Sequence, residues 1–508
     1  MYKSLFSIAA FTLLSRITGF FRDMMLASYF GATNAGDIFN VVLRLPNSFR
    51  AIFGEGAFNA AYIPAYSHAL EHDGRPAARA FANQIFMFLL ISQLVLLALA
   101  LLFTPQFVDL LASGYSSDPE KFDKAVSLSR VTFPYLLLIT LTVFFSATLN
   151  AHKRFASASF APVMLNVAIV GCLLCAFLFP SALDAASWGI TISGLLQLGI
   201  VLWDARRSGL LVSLTRPRFT ADVKQFFKTL GPATIGSAGV QIAVLVDSQI
   251  ASYIGPGTLA SLSYAERLYQ LPIGVISMAA GTVLLPEMSR RLAAGDPGAA
   301  HHAQNRTMAL TLALSAPFLI AFMFIPDVIM RGAFMRGKFD EQAALASAAV
   351  LSAYGLGLLA IVLINSARAS FQSRRDTVTP MVIALIGLGI NIVLKLILGR
   401  DLGAPGLASA TAVGAWVNFL LLVILAMRRG FMQPDETLAR TFAAVCIACL
   451  PLTLVATFGS PIAAGIARHF GHFGPLAHLV LLGGAGAVVY AVALLLALKL
   501  GGVRLARR

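Results

Sequence analysis

Charge is scarce in this chain. Only 12% of its 508 residues are Asp, Glu, Lys or Arg, about half the share of an ordinary soluble domain, which excludes water as the main solvent. Cysteine is scarcer still. The four present form two C-x-x-C pairs, Cys172/Cys175 and Cys446/Cys449, each inside an apolar run without a neighbouring His or carboxylate. A disulfide framework is thereby excluded, and a zinc or redox site lacks ligands, so the thiols are read as packing residues. No G-x-x-x-x-G-K-[ST] loop occurs, which argues against direct use of ATP. The first apolar run is interrupted by Arg16 and is followed by no A-x-A cleavage pattern, so it is read as a retained first helix. Sustained alternation of apolar and polar residues, the mark of a membrane barrel, is missing as well.

What remains is hydrophobic: 58% of the chain. Apolar stretches of about 20 residues recur along its length, each able to cross the roughly 30 Å hydrocarbon layer as a helix. The pattern predicts an all-α polytopic membrane protein of fourteen spans, the first at 5–28 and the last at 477–500. Basic residues outnumber acidic ones by 38 to 23, giving +15. Most of the excess falls in alternate short loops, so it is the positive-inside signature rather than a nucleic-acid surface, and both termini are expected in the cytoplasm.

A repeat of about 220 residues is visible within the chain. Ala27-Ser-Tyr-Phe-Gly31 recurs as Ala251-Ser-Tyr-Ile-Gly255, and His152-Lys-Arg154 before Pro162 parallels Ser373-Arg-Arg375 before Pro380. An even number of spans per copy predicts two six-helix lobes related by a pseudo-two-fold axis along the membrane normal. The expected division is a first lobe at 1–205, a cytoplasmic linker at 206–225, a second lobe at 226–430 and a two-helix appendix at 431–508. Such an architecture suits a carrier working by alternating access.

Charges occur within the spans. Arg16, Arg22 and Asp23 lie in the first, Asp37, Arg44, Arg50 and Glu55 in the second, and Glu266 and Arg267 in the eighth. Asp37, Arg44 and Glu55 share one helix stripe about 27 Å long. A mid-membrane Arg costs from about 2.5 to well over 10 kcal/mol, so these residues need a wet cavity or partners. Internal pairing of Arg22 with Asp23, or of Asp37 with Arg44, is one reading. The other is a cationic cavity for a phosphorylated or carboxylated substrate, since guanidinium groups bind phosphate bidentately. Pro46 and Pro272, each followed by glycines, predict bendable helices at equivalent places. Asp247 with Asp376 or Asn391 offers hard oxygen ligands for a coupling cation such as Na⁺, against the simpler reading of Asp376 as a helix cap. His68 and His72 are four residues apart without a third ligand. No cluster of catalytic acids is present, so an enzyme is not expected, and no resident cofactor is implied.

The segments Ser15-Arg16-Ile-Thr-Gly19-Phe-Phe-Arg22-Asp23, Arg44-Leu-Pro-Asn47, Arg50 and Phe53-Gly-Glu-Gly-Ala-Phe58, with Tyr264-Ala-Glu-Arg267-Leu and Leu284-Leu-Pro286, resemble the MurJ (MviN) lipid II flippase family of the MOP exporter superfamily. The resemblance implies movement of lipid II, the undecaprenyl-diphosphate-linked peptidoglycan precursor, from the inner to the outer leaflet of the bacterial inner membrane. It carries Arg16, Arg22, Asp37, Arg50 and Arg267 over as substrate-binding residues, with Glu55 a weaker match. Some members have a Lys in the tenth span where this chain has Asn365, and Arg368 follows one turn later as its candidate replacement. The last two spans resemble the family's groove for the isoprenoid tail. Membrane lipids, and cell-wall synthesis proteins as neighbours, follow from the same resemblance. A polysaccharide-unit flippase or multidrug antiporter of the same superfamily is the alternative.

Overall fold

The computed structural model describes residues 2–51 and 57–502. Glu55 lies outside the described residues, as do Gly54, Gly56 and Arg504–Arg508. Among the described residues the chain is helical throughout: α1 Tyr2–Phe30, α2 Asn34–Phe49, α3 Phe58–His72, α4 Gly74–Leu102, α5 Thr104–Ala112, α6 Pro119–Thr132, α7 Pro134–Ala151, α8 Ala156–Leu174, α9 Ala182–Arg207, α10 Ala221–Ile254, α11 Thr258–Pro272, α12 Met278–Ala293, α13 Pro297–Phe324, α14 Pro326–Phe334, α15 Glu341–Gly355, α16 Leu358–Gln372, α17 Val378–Arg428, α18 Glu436–Ala467 and α19 Gly474–Leu500. Eight described stretches are long and apolar enough to cross a bilayer. Two of these, Val378–Arg428 and Glu436–Leu500, are too long for one crossing. Gly403, with φ 65°, breaks the first. Its two halves fold back so that Gly414 touches Asn391 and Gly387. A short irregular turn over Arg468–Phe473 breaks the second. Large apolar side chains such as Phe177, Leu450 and Leu500 stand exposed on the outside, which is stable in lipid and not in water.

The chain forms two compact units, Met1–Pro256 and Gly257–Arg508. In the first, α1, α8 and α9 close over Leu26, Phe30, Leu165, Ile169 and Ile190. A second core stacks Phe58, Tyr62 and Tyr66 of α3 against Phe81, Phe144 and Phe226. Phe226 belongs to α10, which the sequence pattern assigned to the second lobe. The first compact unit includes α10 and extends to Pro256 for a packing reason. Phe226 sits edge-on to Phe58 and Tyr62, and Gln249 of α10 accepts from the Ser113 amide at 2.9 Å. Gly114 lies so close to this helix that a Cβ there would sit 2.4 Å from the Ser252 carbonyl oxygen.

In the second unit, Tyr264 of α11 packs on Phe334 and Phe339. The α18–α19 pair is part of this unit, tied to α13 by Tyr490 Oη donating to the Ala313 carbonyl at 2.7 Å. Gly332 of α14 makes room for Leu479, which would lie 2.6 Å from an added Cβ.

The internal repeat recurs at the helix ends. Lys153 and Arg375 are the non-glycine residues with positive φ among those described, at 59° and 63°. Each closes its helix with a bond that spans five residues, Arg154 N to Leu149 O at 2.9 Å and Asp376 N to Phe371 O at 3.1 Å. Gly209 after α9 and Gly430 after α17 make a second matched pair, with Leu210 N bound to Ala205 O and Phe431 N to Ala426 O.

Candidate functional site

Arg22, one of the predicted cations of the first span, is neutralised locally. Arg22, 6% exposed, donates through Nε and Nη2 to Asp23 Oδ1 at 3.0 and 2.7 Å and through Nη1 to Asn166 Oδ1 at 2.9 Å. Asn166 of α8 returns its amide hydrogens to the Ser15 carbonyl and Thr18 Oγ1, both at 3.0 Å. Gly19 permits this approach, because a Cβ there would lie 3.4 Å from Asn166 Nδ2. The spacing in the sequence pointed to Asp23 but held no sign of Asn166.

Asp37 is 1% exposed and accepts from Lys121 Nζ at 3.3 Å; the same ammonium reaches Asn34 Oδ1 at 2.8 Å and lies over the Tyr115 ring. Lys121 sits on α6 near a predicted outer loop, where it gave no signal as a site residue. Arg44 of α2 donates to the Val244 carbonyl at 2.9 Å and to Ser248 Oγ, so it fastens α10 to α2. Arg50 is half-buried at the end of α2. Arg16 is exposed on α1, away from the packed face of its unit.

Helix geometry loosens where the repeat predicts bending. Arg50, Ala51 and, across the undescribed stretch, Ala57 take wide turns of the π type. Ile273–Ser277, just after Pro272, does the same in the second unit. Such turns free backbone groups and let a helix swing, and they concentrate at functional places.

Arg267 is half-buried on α11 beside this loosened segment. Its neighbour Glu266 accepts from Gln270 Nε2 at 2.8 Å. One turn or more beyond, α12 and α16 enclose a cavity of about 240 Å³ lined by Ser277, Gly281, Asn365, Arg368 and Gln372. Asn365 Nδ2 donates to Ser277 Oγ at 2.8 Å, which fixes one wall. The lining offers a guanidinium, two carboxamides and a hydroxyl, with no carboxylate. That donor set suits phosphate or carboxylate and repels a cation.

The proposed cation ligands are held differently. Asp376 Oδ1 accepts from the Thr379 amide at 2.9 Å, and its Oδ2 accepts from Thr379 Oγ1 at 2.7 Å and from Arg429 Nη1 at 3.0 Å, so it caps α17 and anchors its far end. Asn391 lies fifteen residues along the same helix, about 22 Å away, too far to share an ion with Asp376. Lys395, 2% exposed, follows Asn391 by one turn on the same face. Asp247 is half-buried on α10 in the first unit. Among the described residues no group of three or more His, Cys, Asp or Glu is placed to hold a metal. The His68 and His72 rings lie 4.4 Å apart, tilted by 33°, on an exposed face.

The family model described as lipid II flippase MurJ matches residues 26–470. A probable lipid II flippase MurJ of Rhizobium meliloti (strain 1021) is 37% identical over 88% of this chain and 84% of its own length. The lipid II flippase MurJ of Burkholderia cenocepacia is 31% identical over 89% of each. A solved lipid II flippase MurJ in an inward closed conformation superposes with a TM-score of 0.76 over 97% of this chain and 98% of its own, at 23% identity. An inward-facing multidrug transporter of the MATE family, in the MOP superfamily, gives 0.67 over 84% of this chain and 97% of its own at 13% identity, a likeness of fold alone.

Proposed function

The chain belongs to the lipid II flippase MurJ family, and from that premise we propose that it carries lipid II from the inner to the outer leaflet of a bacterial inner membrane. Both termini face the cytoplasm in this reading, in keeping with the basic loops. The single observation that carries the reading is the family match across residues 26–470. The chemistry of the chain supports it: the Arg368 cavity presents donors and no acid, as an anionic diphosphate head requires.

The head enters from the inner leaflet and is held by guanidinium groups, for which Arg16 and Arg50 are the candidates in the first unit and Arg267 and Arg368 those in the second. Alternating access then exposes the head outward while the isoprenoid tail stays in lipid, α18 and α19 offering it an apolar surface. Arg22 and Asp37 serve this set by position, each already bonded within the first unit. Moving negative charge outward is downhill in an inside-negative cell by about 2.3 kcal/mol per charge per 100 mV. Coupling to a cation such as Na⁺ is the other candidate drive.

Proteoliposomes holding lipid II in one leaflet test this directly. Flipping should accelerate when an inside-negative potential is imposed and should be unchanged when K⁺ replaces Na⁺. Flipping indifferent to the potential and abolished without Na⁺ would overturn the proposed drive, and no flipping under any condition would overturn the substrate.

A further inference from the structure

A cavity of about 510 Å³ opens at the basic end of the first unit, apart from the residues assigned to transport. Its walls are Tyr66 of α3, Arg75, Arg79 and Asn83 of α4, His152 after α7, and the chain at 208–212. The irregular segment 209–220 crosses α4 beside it and is pinned there. Asn83 Oδ1 accepts from the Ser213 amide at 2.8 Å, and Gln84 Oε1 accepts from the Arg218 amide at 2.6 Å. The volume is that of a small-molecule site.

Charge in this cavity has one sign. Arg75 and Arg79 are four residues apart on α4, so their guanidinium groups share a face and repel one another. Neither is ion-paired among the described residues, and no carboxylate lines the cavity. The nearest acid on α9, Asp204, is already taken by Arg154 at 2.6 Å and Ser157 Oγ at 2.6 Å. His152, bonded to Tyr66 Oη at 3.0 Å, has its pKa lowered by burial and by the charge of Arg75. Two exposed, unneutralised guanidiniums over a concave polar floor call for an anion.

The surroundings say where that anion comes from. Trp203 is exposed with Arg207 stacked over its ring at 4.8 Å, the pairing typical of a membrane interface. Leu214 and Phe219 of the crossing segment are exposed as well, with the Phe219 ring tilted against Phe88 at 4.6 Å. A headgroup phosphate at the arginines would leave its acyl chains against these apolar side chains.

We propose that this cavity binds a phosphate group through Arg75 and Arg79, presented by an anionic membrane lipid of the inner leaflet. Occupancy ties α3, α4, α7 and the 208–220 segment together at the membrane surface.

Thermal unfolding of the full-length protein in neutral detergent tests the site, with phosphatidylglycerol as one probe and glycerol phosphate as another. Phosphatidylglycerol should raise the Tm of the wild type by a few degrees, and the shift should at least halve in the Arg75→Gln, Arg79→Gln double variant. An Arg290→Gln, Arg291→Gln variant, altered on an exposed helix end of the second unit, should keep the full shift. Ala80→Phe, which fills the cavity from an exposed position, should lose it with both arginines intact. A shift with phosphatidylglycerol alone assigns the phosphate to lipid; an equal shift with glycerol phosphate assigns it to a soluble phosphate, still at Arg75 and Arg79. A shift that survives in both the double variant and Ala80→Phe, or no shift with either probe, would overturn the proposal.

Discussion

Arg22 and Arg368 are both arginines within the membrane, and their surroundings give them opposite roles. Arg22 is buried against Asp23 and Asn166, so its charge is spent on holding α1 to α8. Replacing it by Ala leaves Asp23 buried beside a lost partner, an error that costs about 3–5 kcal/mol. Arg22→Ala should therefore lower the Tm sharply, and its transport defect should track the amount of folded protein. Arg368 faces a cavity without acids. Arg368→Ala should keep the wild-type Tm within a degree or two and lower lipid II flipping at least tenfold, with partial recovery in Arg368→Lys. Asp376 offers a third test, in pH. Its carboxyl is held below the usual range by the Thr379 hydrogen bonds and then by Arg429. A depressed folded pKa means that the contribution is present above the unfolded value of about 3.9 and is lost as pH falls through the folded one. Asp376→Asn should thus destabilise by about 1 kcal/mol at neutral pH, and its unfolding curve should converge on the wild type in acid. The cap was legible in Asp376-Thr-Val-Thr-Pro380, a local pattern. Asn166, 144 residues from Arg22, was not, because only the packing of α8 on α1 brings them together.

Helices repeat their endings more faithfully than their residues. Lys153 and Arg375 adopt the same left-handed turn, and the residue after each pairs with the end of the sixth helix in its copy. The polarity is reversed: Arg154 meets Asp204, and Asp376 meets Arg429. The repeated Ala-Ser-Tyr-x-Gly signature disclosed the duplication, but a basic dipeptide carries no sign of positive φ. Left-handed backbone costs a residue with a Cβ about 1–2 kcal/mol, partly offset by the greater freedom of glycine when unfolded. Lys153→Gly and Arg375→Gly should each raise stability by several tenths of a kcal/mol, seen as matched increases in Tm. Within α17 the hairpin depends on Gly406, where a Cβ would stand 2.1 Å from the Leu398 carbonyl oxygen. Gly406→Ala should destabilise the second unit by well over the change at an exposed helix glycine. The packing of α10 on the first unit was not legible in the pattern, since α10 reads as an ordinary span and contacts such as those of Phe226 and Gln249 reveal its attachment.

At the scale of the whole molecule, helices account for nearly all the described residues, and their apolar outer surface was plain from composition. Hydropathy alone recovers the stretches with few charges. The helices it undercounts include α10, and also α1, α2, α3, α11 and α12, which are interrupted by Arg, Asp or Pro. The central claim is that this chain delivers lipid II outward by binding its anionic head. Leaflet-specific labelling of lipid II in cells depleted of the protein tests it most directly, with rescue by wild type, Arg16→Ala and Arg368→Ala. Outer-leaflet lipid II should vanish on depletion, return with the wild type, and stay low with either variant at equal protein level. Outer-leaflet labelling that persists on depletion in cells with no second carrier, or that both variants restore in full, would contradict the account.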